Sequence, residues 1–161
     1  MLLRSLLIIF VLNSTLIVSA ASAPGGTVIL NKILFSESEQ SWTLRDLEIY
    51  QKTLAVATDK KKISDWSENS SEDFLLSRLC FREAKLFEVT PEKIKISEAD
   101  RKKMGEYSPK EFEEELNRVA FALMFIELKS NQIKQKERFK PWVDHLKRKY
   151  QVKYKTNEIV P

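Results

Sequence analysis

The segment that begins at Ser108 constrains the fold of this chain more than any other feature. Its first four residues, Ser-Pro-Lys-Glu, place a serine at the N-cap, a proline at the first helical position and a glutamate at the third. This combination is typical of the start of an α-helix, because the serine and glutamate side chains satisfy backbone N–H groups of the first turn. The pattern predicts one helix that continues to about Arg138, roughly 45 Å at 1.5 Å per residue, with a break at Pro141.

Composition favours a folded, single-domain protein that is mainly α. The 161 residues include only three glycines and five prolines, so the chain lacks the frequent turn signals of a many-stranded sandwich or barrel. Hydrophobic residues at 43% and charged residues at 31% are typical of a chain that folds. A net charge of +4 is too small to indicate nucleic acid by itself, and one cysteine permits neither an internal disulfide nor a metal cluster.

The first 20 residues have the organisation of a signal peptide. Arg4 supplies a positive charge, Ser5–Leu12 form an apolar core, and small residues allow cleavage after Ala20, which we favour, or after Ala23. The alternative is an uncleaved membrane anchor. No later apolar run approaches the ~20 residues of a membrane-spanning helix. We therefore expect the processed protein to be exported and not to span a membrane.

Apolar periodicity and capping residues predict six further elements. Thr43 with Asp46 begins a first helix, and Ser97 with Asp100 begins a short helix that ends near Gly105. The others are a strand at Thr27–Phe35, a helix at roughly Glu72–Phe87 whose apolar face includes Leu86 and Phe87, a short helix at Trp142–Tyr150 and a closing strand at Gln151–Lys155. Each strand is the other's only evident partner, so the two are expected to pair.

The long helix has two apolar faces. The first carries Phe112, Leu116, Val119, Leu123, Ile126 and Ile133, and the second, confined to the middle of the helix, carries Phe121, Met124, Phe125 and Leu128. A helix that is apolar on both sides needs a cover on both sides. Either the first two helices cover both faces, or part of the second face lines a groove for another chain, for which Phe and Met supply area and adaptable shape.

Residues with catalytic potential are isolated. His145 is the only histidine, and a surface position is expected for it. Cys80 lies on the apolar face of the second helix and is expected to be a buried hydrophobe. Glu83 on the same face is either a carboxylate with a perturbed pKa or one half of an ion pair. No catalytic residue, metal site or cofactor is therefore expected.

The C-terminal part of the chain is strongly basic. Lys129–Lys155 contains ten lysines and arginines against two acidic residues, with aromatic residues between them. An anionic membrane surface, acidic client segments or a solvated face explains this charge better than nucleic acid. Nucleic acid is therefore not expected as a partner.

The order of elements resembles the peptide-binding core of the periplasmic chaperone SurA family. The similarity lies in a first strand at Val28–Phe35, W-T-L-R-D at Trp42–Asp46, L-x-x-R-L-x-x-R-E-A-x-x-F at Leu75–Phe87, I-x-I-S-E-A-D at Ile94–Asp100 and the tryptophan-bearing segment Phe139–Tyr154. The resemblance implies a single helical domain over residues 27–155, closed by a small two-stranded sheet of its first and last strands, with a tail at 156–161. Family members insert proline-isomerase domains where Lys129–Lys140 merely joins two helices here, so isomerase activity is expected to be absent.

The resemblance implies a periplasmic chaperone that holds unfolded or extended polypeptides without ATP, among them outer-membrane protein precursors, with envelope assembly proteins as further candidate partners. The expected peptide-binding residues are Phe121, Met124, Phe125 and Leu128. Binding through such flexible apolar side chains would be broad. The alternative function is a dedicated interaction subunit or adaptor of a cell-envelope complex, and an enzyme is not expected. The oligomeric state stays open.

Overall fold

The computed structural model describes residues 32–155. The predicted signal peptide at 1–20, the start of the predicted first strand at Thr27 and the tail at 156–161 lie outside these residues. The described elements are, in chain order, β1 (Ile33–Glu37), β2 (Gln40–Thr43), α1 (Leu44–Thr58), α2 (Ser70–Leu86), α3 (Glu98–Lys103), α4 (Pro109–Gln132), α5 (Lys136–Lys149) and β3 (Lys153–Tyr154). The expectation of a mainly helical protein is confirmed.

The helix starts predicted from capping residues, at Thr43, Ser97 and Ser108, are confirmed because each depends on local hydrogen bonds. Thr43 and Ser108 each begin a helix with a complete capping box, in which the hydroxyl accepts from a backbone N–H three residues on and the acidic side chain there accepts from the cap's own N–H. Ser97 caps α3 through the backbone N–H of Asp100. Asn69 caps α2, which therefore begins before the predicted Glu72.

The predicted end of the long helix is wrong. Helix α4 ends at Gln132, not near Arg138, and α5 begins at Lys136 and continues through Pro141. A proline inside a helix removes one backbone hydrogen bond and costs up to about 3 kcal/mol. Burial of Phe139 and Leu146, each contributing about 1.5–3 kcal/mol, offsets that cost once the chain turns before Phe139.

The sheet has three antiparallel strands in the order β2-β1-β3, so the expected two-stranded sheet is wrong. The predicted pairing of the first and last strands is present, with Phe35 opposite Tyr154 and Ser36 opposite Lys153. Strand β2 was missed because its hairpin turn, Ser38-Glu39, lacks the Asn-Gly or Asp-Gly signature of two-residue turns. Ser38 nevertheless adopts the positive φ, 51°, that such a turn requires.

The core lies between α1, α2, α4 and the sheet, with Phe74 of α2 near its centre. The rings of Phe35, Trp42 and Tyr50 lie 5.3–6.0 Å from the Phe74 ring. Arg78 is fully buried beside them, 4.4 Å from the rings of Trp42 and Phe74, and its Nη2 donates to both carboxylate oxygens of Glu115 at 2.8 Å. This ion pair joins α2 to α4 and fixes how the two helices meet.

Within residues 32–155, no helix combines the length and the apolar character that crossing a membrane requires.

Candidate functional site

The four predicted binding residues on the second face of α4 lie in three different environments. Phe125 is 3% exposed, Phe121 and Met124 are half-buried, and Leu128 is 43% exposed. On the first face, Phe112, Leu116, Val119 and Ile126 are buried, as their stripe predicts. The second face is therefore covered at Phe125 and open at Leu128.

Two aromatic residues from different parts of the chain, Phe87 and Trp142, cover Phe125. The ring of Phe87, which caps the C-terminus of α2, stacks on it at 5.9 Å, and the Trp142 ring of α5 lies at 6.5 Å. Phe125 thus supports the residues above it and is not itself available to a partner in this structure. The alternative in which the first two helices cover this face therefore holds at Phe125 only together with α5.

Exposed apolar side chains lie beside this buried ring: Phe87 stacks on it, and Leu128 lies about one turn further along α4. Leu86 is 63% and Phe87 64% exposed, and Leu128 follows Met124 by one helical turn. We call Leu86, Phe87 and Leu128, together with the half-buried Phe121 and Met124, the apolar patch. Single exposed hydrophobic residues are normal on a protein surface, but a contiguous group marks an interaction site.

Leu86 and Phe87 belong to the predicted apolar stripe of α2 but are exposed, unlike the rest of that stripe. They share the helical spacing of Leu75, Leu79 and Cys80, which are buried, but lie in the last turn and at the C-cap, where α2 extends past its cover. Periodicity shows which side of a helix is apolar and not where its neighbours stop. The sequence therefore contained the stripe but no signal for its open end.

Two lysines border the apolar patch. The Nζ atom of Lys85 lies 4.6 Å from the centre of the Phe121 ring and 5.7 Å from that of Phe81, and Nζ of Lys129 lies 5.7 Å from the Phe125 ring. An ammonium group over an aromatic face is attracted by the negative potential of the ring. The patch is thus apolar at its centre and positively charged at these two edges.

A pocket of about 230 Å³ lies between the loop before α2 and helix α5. Its apolar floor includes Trp66 and Phe139, whose rings meet edge to face at 4.3 Å, so Trp66 is not the exposed residue that its loop position suggests. Phe139 in turn lies 5.2 Å from Trp142, which reaches Phe125. A row of aromatic rings therefore runs from the pocket to the apolar patch.

Among the isolated reactive residues, Glu83 has a structural role. Glu83 accepts hydrogen bonds from Lys149 Nζ and from the Tyr150 hydroxyl, both at 2.6 Å, which confirms its interpretation as an ion-paired residue. Burial, followed by this hydrogen bond, raises the pKa of Tyr150 well above its ordinary value. His145 is exposed, as expected.

Cys80 is fully buried, as its position on α2 predicts, and is a free thiol. Burial is the main reason that its pKa is raised well above the ordinary value, and the charges of Glu83 and Asp73 add to the effect. A thiol that resists ionisation is a poor nucleophile and a poor metal ligand. Cys80 is thus a packing residue of the core.

No family model, no curated protein and no solved structure was found to match this chain. The geometry of the apolar patch is therefore the basis for a proposal of function.

Proposed function

We propose that this protein is a periplasmic, ATP-independent chaperone of the SurA type that holds unfolded or extended polypeptides and has no isomerase activity. The observation that carries the proposal is the apolar patch, where Leu86, Phe87 and Leu128 expose large side chains to solvent. Burying such side chains against a client removes apolar surface from water, the main driving force of association. Because the force is non-directional, many different client sequences satisfy it.

The residues packed beneath the apolar patch favour binding of polypeptides. Phe125 and Trp142 form a packed floor for Phe87, while Met124 and Leu128 lie on one continuous helix. A fixed floor avoids an ordering cost when a client binds, and methionine adapts its shape to different side chains. A client segment would therefore be held by burial alone, without nucleotide or cofactor.

Two features of the fold support the resemblance to SurA. The described ends of the domain meet in one sheet through β1 and β3, and the rest is mainly helical. Only Ile133–Gln135 separate α4 from α5, which is where the family's isomerase domains of about 100 residues would be inserted. Clients that cross the periplasm unfolded, such as outer-membrane protein precursors, fit this activity, and the signal-like residues 1–20 would bring the chaperone to them.

The test is suppression of aggregation of several unrelated, chemically denatured clients diluted into buffer with the purified protein. Phe87→Ser should reduce the suppression at least severalfold for every client while the thermal midpoint changes by a few degrees at most. Tyr154→Ser is the matched control, because Tyr154 is an aromatic residue exposed to 57% outside the apolar patch. Equal suppression by wild-type protein and Phe87→Ser would contradict the proposal.

The alternative, a dedicated interaction subunit or adaptor of a cell-envelope complex, would use the same patch for one partner. It predicts stoichiometric co-purification with a single envelope protein and no effect on unrelated clients. An exposed apolar patch with charged residues at its edges serves either role, so the number of clients decides between them.

A further inference from the structure

The two lysines at the border of the apolar patch have no acidic partner. Among residues 32–155, neither Lys85 nor Lys129 has a carboxylate oxygen within 4.0 Å, although ten other pairs in the same residues meet that limit. Lys129 Nζ donates to the neutral Oε1 of Gln132 at 2.9 Å. Within residues 32–155, no ion pair therefore neutralises either ammonium group.

The acidic residues near the patch do not change this arrangement. Glu83, two positions before Lys85, is occupied by Lys149 and Tyr150. Glu88 and Glu127 are exposed and follow Phe87 and precede Leu128 in the chain. The ammonium group of Lys85 lies over Phe121 of the patch, and that of Lys129 lies near the ring of Phe125 beneath it.

A client that covers the patch therefore changes the surroundings of two cations. Displacing water from an ammonium group costs free energy unless the client supplies an acceptor, and a carboxylate is the strongest acceptor that a polypeptide offers. A client lysine or arginine at the same place would repel. The patch thus discriminates between clients by what flanks their apolar side chains.

We propose that this surface selects acidic clients, in which an aspartate or glutamate lies within one or two residues of the aromatic or aliphatic side chain that contacts the apolar patch. The proposal rests on the proposed function and adds a charge preference to it. Each contact is an exposed ion pair, so the preference is moderate and decreases with salt.

The test uses three fluorescein-labelled nonapeptides that share one aromatic core and differ only in their flanking residues, which are glutamate, glutamine or lysine. Fluorescence anisotropy at low ionic strength should give Kd values for the glutamate peptide about three- to tenfold lower than for the glutamine peptide, from two exposed ion pairs. The lysine peptide should bind more weakly than both. Raising the salt concentration should reduce these differences.

The K85Q/K129Q double variant should bind the glutamate and glutamine peptides equally and leave the Kd of the glutamine peptide within about twofold of wild type. K60Q/K61Q is the control, because it removes the same net charge from two exposed loop lysines and should keep the preference. Loss of the preference in both variants would assign it to net charge and overturn the proposal.

Equal binding of the glutamate and glutamine peptides by the wild-type protein would overturn the charge preference and leave the proposed function standing. Binding of none of the three would remove both. A dimer in sedimentation velocity that Phe87→Ser dissociates would show that a second copy of the chain covers the patch, and would also overturn the proposal.

Discussion

Phe125 and Leu128 show how two residues on one face of a helix take different roles within one turn. The rings of Phe87 and Trp142 cover Phe125, while Leu128 is exposed to 43%. The aromatic ring of Phe125 lies beneath the apolar patch, and Leu128 presents its side chain to solvent. A substitution of Phe125 should therefore affect mainly stability, and a substitution of Leu128 should affect mainly binding.

Phe125→Ser should lower the free energy of unfolding by about 3 kcal/mol or more, because it removes buried apolar area and leaves a cavity. Leu128→Ser, three residues further on the same helix, should cost less than about 1 kcal/mol, as surface substitutions usually do. Urea denaturation of both variants measures the difference. Equal losses would contradict the assignment of Phe125 to the core.

The surroundings of Tyr50 change the pKa of its hydroxyl group. Its hydroxyl donates to Asp73 Oδ2 at 2.6 Å, and Asp73 also accepts from the backbone N–H groups of Ile63 and Ser64. Burial first, and then the charge and hydrogen bond of Asp73, raise the pKa of Tyr50 well above its ordinary value. The neutral phenol therefore belongs to the folded state.

This shift predicts a loss of stability at alkaline pH. The unfolded chain releases the Tyr50 proton near its ordinary pKa of about 10, whereas the folded protein retains it, so above that pH stability falls by up to about 1.4 kcal/mol per pH unit for this one group. Below pH 10 the contribution is complete. Tyr50→Phe should flatten the fall measured by urea denaturation between pH 9.5 and 11, and Tyr154→Phe should not. The same slope in wild type and Tyr50→Phe would count against the shift.

At the scale of elements, the helix starts that depend on local hydrogen bonds could be predicted from the sequence. The end of α4 and the strand β2, which depend on contacts with distant residues, could not. Thr43, Ser97 and Ser108 could be identified as caps because their partners are three residues away. The end of α4 at Gln132 depends on where Phe139 is buried, and the burial of Trp42 in β2 depends on its packing against Phe74 of α2, 6.0 Å away. No window of sequence contains those partners together with their energetic balance.

The sheet gives a prediction at this scale. Deleting the chain from Gln151 onward removes β3, which contributes only two residue pairs to the sheet, while β1 keeps its four pairs with β2. The truncated protein should therefore unfold at a lower temperature but still in one cooperative transition, as followed by circular dichroism. A two-stranded sheet would instead leave β1 without a partner. Loss of the cooperative transition would contradict this account, because it would show that pairing with β2 does not hold β1 in place without β3.

At the scale of the whole molecule, three of the four residues predicted to bind peptide belong to the apolar patch. Met124, Leu128 and Phe121 belong to both the predicted residues and the apolar patch, whereas Phe125 lies beneath it. Leu86 and Phe87 come from α2, and only the packing of α2 on α4 brings them to the same surface. A site that combines two helices is set by tertiary contacts, which periodicity along one helix does not contain.

The central claim is that the apolar patch contacts non-native polypeptide, and site-specific photo-cross-linking tests it most directly. A photoreactive phenylalanine analogue placed at Phe87, and separately at Tyr154, would be irradiated with a denatured client of known sequence and with the same client folded. We predict strong adducts to the denatured client from position 87, weak adducts from position 154, and none to the folded client. Equal cross-linking from the two positions, or cross-linking of the folded client from position 87, would contradict the account.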